Sequence, residues 1–216
     1  MTTKAEDWDT ARDLVADNAD ELRQANDHRA VRAVYTRAGG DSAGLWRAYT
    51  SELRKQLGIK YDELRDEVTA REAAALADAA ADAPLIELYI AADAEVDSFA
   101  VVAVADESEC WYGTFHKSDR IYDHTDESGE QAAADKAVFL AGKAREQAGV
   151  PAVRLIIHHT HPELSVEALR ASATRNGVLV ELAHTEANPA LDKCRDPGFN
   201  AWREIALPAL FTTATA

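Results

Sequence analysis

The sequence predicts an α/β protein in which a small helical module precedes a mixed five-stranded sheet. Apolar residues recur with helical spacing up to about residue 80. After Pro84 the pattern changes to strand-like alternation and apolar β-branched runs, which then alternate with helical segments. A helix is expected to end before Pro84, behind the Ala- and Asp-rich run 73–83. We therefore predict two domains, residues 1–83 and 84–216.

The first domain is predicted to be a bundle of four short helices. The clearest apolar stripe is Leu45, Tyr49, Leu53 and Leu57, which share one helix face and favour a core role for Tyr49 and its neighbour Trp46. The predicted helices are Asp9–Ala25, Arg29–Ala38, Ser42–Leu57 and Tyr61–Ala80.

The second domain is predicted to follow the order β-β-β-α-β-α-β-α. The nearly continuous apolar runs 153–157 and 178–182 are typical of parallel strands covered on both faces. The predicted strands are Ile86–Asp93, Phe99–Ala105, Cys110–Phe115, Val153–His158 and Val178–Ala183. The predicted helices are Glu130–Ala148, Glu163–Arg175 and a final helix near Phe199–Ala206.

Composition favours a globular protein, with 47% hydrophobic and 28% charged residues. No run reaches the roughly 18 apolar residues of a membrane span, and Met1–Asp9 lacks the apolar core of a secretory signal. Two cysteines without metal-type spacing fit a reducing compartment, so we expect a cytoplasmic protein.

The charge distribution contains a local reversal. A net charge of −15 disfavours contact with phosphates, but residues 22–60 hold eight basic and three acidic residues. We predict that this segment binds nucleic-acid phosphates, whereas solvated or ion-paired arginines are the alternative. The candidate residues are Arg29, Arg32, Arg37, Arg47, Arg54 and Lys55.

Three motifs in the second domain, together with its element order, resemble the ribonuclease H family. Residues 88–94, Leu-Tyr-Ile-Ala-Ala-Asp-Ala, look like the first strand that ends in the family's metal-binding aspartate, here Asp93. Residues 129–137 look like the helix whose first-turn glutamate, here Glu130, binds metal. Residues 188–192 are similar to the family's late Asn-x-x-Ala-Asp segment, whose final metal-binding aspartate corresponds to Asp192 here. His184 lies just upstream, near the position where the family often has a mobile histidine in a loop.

The resemblance implies a metal-dependent nuclease that hydrolyses the RNA strand of RNA/DNA hybrids, with a hybrid or structured RNA as partner. Asp93, Glu130 and Asp192 are expected to hold Mg²⁺ or Mn²⁺ in a two-metal site, and His184 to assist product release or proton transfer. Carboxylates from separate elements repel one another, so a hard cation is the usual reason for keeping them together. Taken singly, each acid also has an ordinary explanation: turn chemistry for Asp93, helix capping for Glu130 and plain solvation for Asp192.

The chain departs from the family at the end of the fourth strand. Ile157-His158-His159-Thr160-His161 stands where the family has another ligating aspartate. If His158 or His159 completes the site, we expect a single metal or a preference for Mn²⁺, because imidazole suits Mg²⁺ poorly. A catalytically inactive ribonuclease H-like module that binds nucleic acid or another partner is the alternative.

A second alternative is a zinc hydrolase. His159-Thr160-His161-Pro162 looks like the His-x-His-Pro element of JAMM-type zinc isopeptidases, with Glu87 as the nearest upstream base. The match is partial, because Ser165 comes too soon and no aspartate follows before Asp192.

Overall fold

The computed structural model describes residues 4–212, which fall into two compact units that divide between Glu72 and Ala73. This division lies inside a helix, whereas the sequence-based boundary lies after that helix, at residue 83. Within residues 4–212, no helix is both long and apolar enough to cross a membrane.

The first unit is helical, as predicted. Its elements are α1 (Lys4–Asp17), α2 (Ala19–Gln24), α3 (His28–Arg37), α4 (Ala43–Glu52), a π-helical turn (Leu53–Leu57) and the start of α5 (Tyr61–Ala80). Tyr35, Tyr49 and Leu53 are fully buried, and Trp46 packs edge-on against Tyr35, which confirms the core role of these aromatic residues. The predicted helix Asp9–Ala25 is divided at Asn18, whose side chain donates to the Leu14 carbonyl.

The second unit contains a five-stranded mixed sheet in the order β3-β2-β1-β4-β5. The strands are β1 (Leu85–Asp93), β2 (Ser98–Ala103), β3 (Cys110–Thr114), β4 (Val153–His159) and β5 (Val178–His184). Each predicted strand is present, with ends that differ by at most two residues. Strands β1, β4 and β5 run parallel, so their carboxyl ends share one edge of the sheet.

Helices cover both faces of this sheet. The helices are α6 (Asp126–Ala148), α7 (Val166–Asn176) and α8 (Pro189–Lys193). Helix α6 packs with α7 against the face that presents Leu88, Ile90 and Ile157. Ala190 of α8, together with Cys194, packs on the opposite face of β1 and β2.

The predicted final helix near Phe199–Ala206 is wrong. The chain forms helix α8 earlier, because Asn188 caps it and Pro189 takes its first position. After α8 there are two short 3₁₀ turns, Trp202–Glu204 and Leu207–Leu210.

Candidate functional site

A pocket of about 320 Å³ opens at the edge of the sheet where β1 and β4 end. We call it the rim pocket. Four acids and one base supply its charged lining: Asp93, Glu95, Asp126, Glu130 and Arg195. His161 and Thr160 from the segment after β4, together with Leu191 and Cys194, complete much of the wall. Acids from the end of β1 and the start of α6 therefore come together at one edge of the sheet. The sequence predicts such a gathering of carboxylates from separate elements.

Glu130 is buried at this pocket, with 4% of its surface exposed. Its Oε2 is buried without a hydrogen-bond partner in the described structure. Burial raises the pKa of Glu130 to about 7, and the nearby Asp126 adds to the shift. A buried oxygen without a partner costs folding free energy, and such groups cluster at functional sites.

Gly129 explains how Glu130 comes so close to β1. A Cβ at this position would lie 2.9 Å from the Cβ of Ala92, so a larger residue would push α6 away from the strand. Helix α6 also begins four residues earlier than predicted, with Thr125 and Ser128 forming a reciprocal cap. Glu130 therefore lies in the second turn rather than at the start of the helix.

Asp93 already has a cationic partner. Its Oδ2 accepts a hydrogen bond from Arg195 Nε at 2.8 Å, and its Oδ1 accepts one from the Glu95 backbone N–H at 3.0 Å. The Arg195 hydrogen bond holds the pKa of Asp93 below its usual value. In this structure a side chain of the protein itself thus neutralises the first carboxylate that the sequence assigns to metal.

Asp126 is a pocket residue that sequence reasoning missed. It is the first residue of α6, and its Oδ1 lies 3.4 Å from the backbone nitrogen of Ala94, just after β1. The run Thr125-Asp126-Glu127 is an N-cap followed by first-turn acids, a signal that could have located the helix start.

Asp192 does not line the rim pocket. It is exposed on α8, while Leu191 and Arg195 from the same segment face the pocket. The structure therefore brings Asp93 and Glu130 to one pocket but leaves Asp192 outside it.

The predicted histidines are also separated. His158 Nε2 lies 3.0 Å from Glu87 Oε2, whereas His159 is buried and its Nδ1 is 2.9 Å from the His161 carbonyl oxygen. His159 packs edge-on against His184, and burial lowers the pKa of His159. Neighbouring strand residues point to opposite faces, so Glu87 and His159 lie on opposite sides of the sheet. Of these histidines, His161 is the one that lines the rim pocket.

Most of the predicted phosphate-binding residues have partners within the first unit. Arg29 pairs with Glu72, Arg37 with Glu21 and Lys55 with Glu52. The guanidinium of Arg32 lies 4.0 Å from the centre of the Trp46 ring.

Arg47 and Arg54 remain available in the described part of the first unit, where neither forms an ion pair. Both line a groove of about 420 Å³ that also contains Lys60, Asp62 and Glu63. Of the six predicted residues, Arg32, Arg47 and Arg54 therefore keep a positive charge without an acidic partner in the described residues, and Arg32 is stacked on Trp46.

Across residues 4–212, no group of three or more His, Cys, Asp or Glu side chains is arranged to hold a metal ion. The acids of the rim pocket share a cavity, but they do not form a ready ligand set. Comparisons of the chain with protein-family models, with curated proteins and with solved structures give no match.

Proposed function

We propose that the second unit is a ribonuclease H-like nuclease whose rim pocket holds one divalent cation, Mg²⁺ or Mn²⁺. The main support for this proposal is that Glu130 Oε2 is buried without a hydrogen-bond partner in the described structure. The pocket that Glu130 lines also contains Asp93 and Asp126. The sheet order supports the proposal, since β1 lies at the centre with antiparallel β2 on one side and parallel β4 on the other.

The charge of the pocket favours a cation. Four carboxyl groups face a single guanidinium, and like charges at one cavity are relieved by a bound cation of opposite sign. Oxygen ligands suit Mg²⁺ and Mn²⁺. The acids of the rim pocket are spread out and do not form a close ligand cluster. They therefore suit one cation that keeps several of its waters. The two-metal site that the resemblance implies would need more carboxylates shared between the ions.

Asp93, Asp126 and Glu130 are the residues that would hold the cation, partly through its bound waters, since no three such side chains in residues 4–212 are arranged to ligate one ion directly. When bound, the cation would supply a Lewis acid toward a phosphoryl oxygen. The protein contributes position: the end of β1 fixes Asp93, and the contact of Gly129 with Ala92 fixes Glu130. In the first unit, Arg47 and Arg54 would contact backbone phosphates without reading sequence.

A hydrolysis assay on a labelled RNA/DNA hybrid, with Mg²⁺ and Mn²⁺ supplied separately, tests the proposal. We expect cleavage with at least one metal, and its loss in Asp93→Asn and Glu130→Gln. Glu127→Gln is the matched control, because Glu127 is an exposed acid in the first turn of α6 that does not line the pocket.

Asp192→Asn distinguishes the ligand set that the family resemblance implies from the residues that line the rim pocket. If Asp192 binds the metal, as the resemblance implies, the variant loses cleavage. If the metal lies in the rim pocket, cleavage changes little. Absence of cleavage by the native chain with either metal would refute the nuclease.

An inactive binding module is the second candidate, favoured by the Arg195–Asp93 ion pair. A chain that binds the hybrid and cleaves it with neither metal would identify this function. The zinc hydrolase receives no support, because Glu87 and His159 lie on opposite faces of the sheet.

A further inference from the structure

We infer that Arg195 competes with the cation for Asp93, and that a substrate phosphate frees Asp93 by drawing the Arg195 guanidinium to itself. The inference rests on the proposed function and deepens it. It makes Arg195 a positioning residue that couples cation binding to the presence of a nucleic-acid strand.

The first argument is the occupancy of Asp93. Each of its two oxygens already accepts a hydrogen bond, one from the Glu95 backbone and one from Arg195. The Arg195 guanidinium puts a positive charge beside the oxygen that a cation would use, and like charges repel at this distance. A cation therefore binds Asp93 well when Arg195 has left.

The second argument is the freedom of the arginine. The Arg195 side chain is 73% exposed, whereas the Asp93 side chain is 10% exposed. The backbone beside it is anchored, since Ser98 Oγ donates to the Cys194 carbonyl at 2.7 Å and Asn188 Nδ2 donates to the Ile90 carbonyl at 2.7 Å. The guanidinium can thus swing into solvent and return, while its point of attachment stays at the pocket.

The third argument is the chemistry of the displacing group. Arginine binds phosphate through two parallel N–H···O bonds, and its planar fork suits phosphate as well as carboxylate. The other pocket residues that bear a fixed charge are acids, which repel phosphate. Arg195 is therefore the pocket group suited to meet an approaching strand. Phosphate and cation both bind better to the state in which Arg195 has left Asp93. Binding of either one therefore raises the affinity of the protein for the other.

The test is a Mn²⁺ titration of the full chain, with free Mn²⁺ measured by electron paramagnetic resonance. The titration uses the native chain, Arg195→Ala and the charge-conserving Arg195→Lys. Each is measured alone and with an RNA/DNA hybrid whose RNA strand is 2′-O-methylated against cleavage. Asp93→Asn with the same hybrid measures Mn²⁺ held by the nucleic acid itself, and circular dichroism checks that each variant is folded.

Without hybrid, Arg195→Ala is expected to bind Mn²⁺ about threefold to tenfold more tightly than the native chain, and Arg195→Lys to remain closer to the native value. The hybrid is expected to tighten binding by the native chain and to leave Arg195→Ala unchanged. Equal or weaker binding by Arg195→Ala, or no effect of the hybrid on the native chain, would overturn the inference and leave the proposed function standing. If neither the native chain nor Arg195→Ala binds Mn²⁺ above the Asp93→Asn background, the proposed function and this inference both fail.

Discussion

Replacing Glu130 by Gln is expected to stabilise the second unit at neutral and higher pH. The carboxyl has a pKa of about 7 in the folded chain against an ordinary value of 4.5. The unfolded chain therefore releases this proton first, and the free energy of unfolding falls as the pH rises from 4.5 to 7. Because a tenfold change in proton affinity corresponds to about 1.4 kcal/mol, the native glutamate costs roughly 3 kcal/mol above pH 7 and roughly 1 kcal/mol at pH 5. Glutamine keeps the shape of the side chain and removes this cost.

The measurement is urea unfolding in the presence of a chelator. Unfolding is monitored through the hydrogen exchange of peptides from α6 and β1. These peptides report on the second unit by itself. The gain in unfolding free energy for Glu130→Gln should grow from pH 5 to pH 8. Glu127→Gln changes the net charge equally at an exposed position and should stay within about 0.5 kcal/mol of the native chain. A Glu130→Gln chain that is no more stable at pH 8, or whose gain does not shrink on acidification, would refute the reasoning.

Three further predictions follow from other contacts. Asn188→Ala should destabilise the second unit by about 1–3 kcal/mol in thermal unfolding, because the buried Ile90 carbonyl loses its donor. Gly129→Ala should cost about 1–3 kcal/mol in the same measurement, since the added methyl meets Ala92; a stability equal to the native chain would contradict the close packing of α6. Arg47→Glu should weaken binding of a labelled hybrid and lower the slope of affinity against salt by at least about one, and an unchanged slope would remove Arg47 from the interface.

Much of the fold could be predicted from local patterns. Alternation over Leu85–Ile90 and the apolar runs 153–157 and 178–182 identify strands, because side-chain direction has a period of two along an extended chain. Helix α5 (Tyr61–Ala80) matches its predicted bounds. The predicted final helix failed because the cap and Pro189 favour an earlier start than the apolar pattern suggests.

The candidate site could be predicted in part. Asp93 follows from the end of β1 and Glu130 from its place near the start of α6, so both lie at the predicted edge of the sheet. Asp126 was missed because the reciprocal cap that begins α6 pairs Thr125 with Ser128 rather than with the more familiar glutamate or glutamine.

The sequence by itself determined the five strands and most of the helices, though not α8. It predicted that Asp93, Glu130 and Asp192 meet at the carboxyl end of β1, and the first two line one pocket there. Only the tertiary structure decided which side chain of the α8 segment meets Asp93. Burial of Ala190 and Cys194 against the sheet fixes the rotation of this segment, because side chains four positions apart share one face. That rotation leaves Asp192 in solvent and turns Arg195 toward Asp93, a choice made by packing between distant parts of the chain.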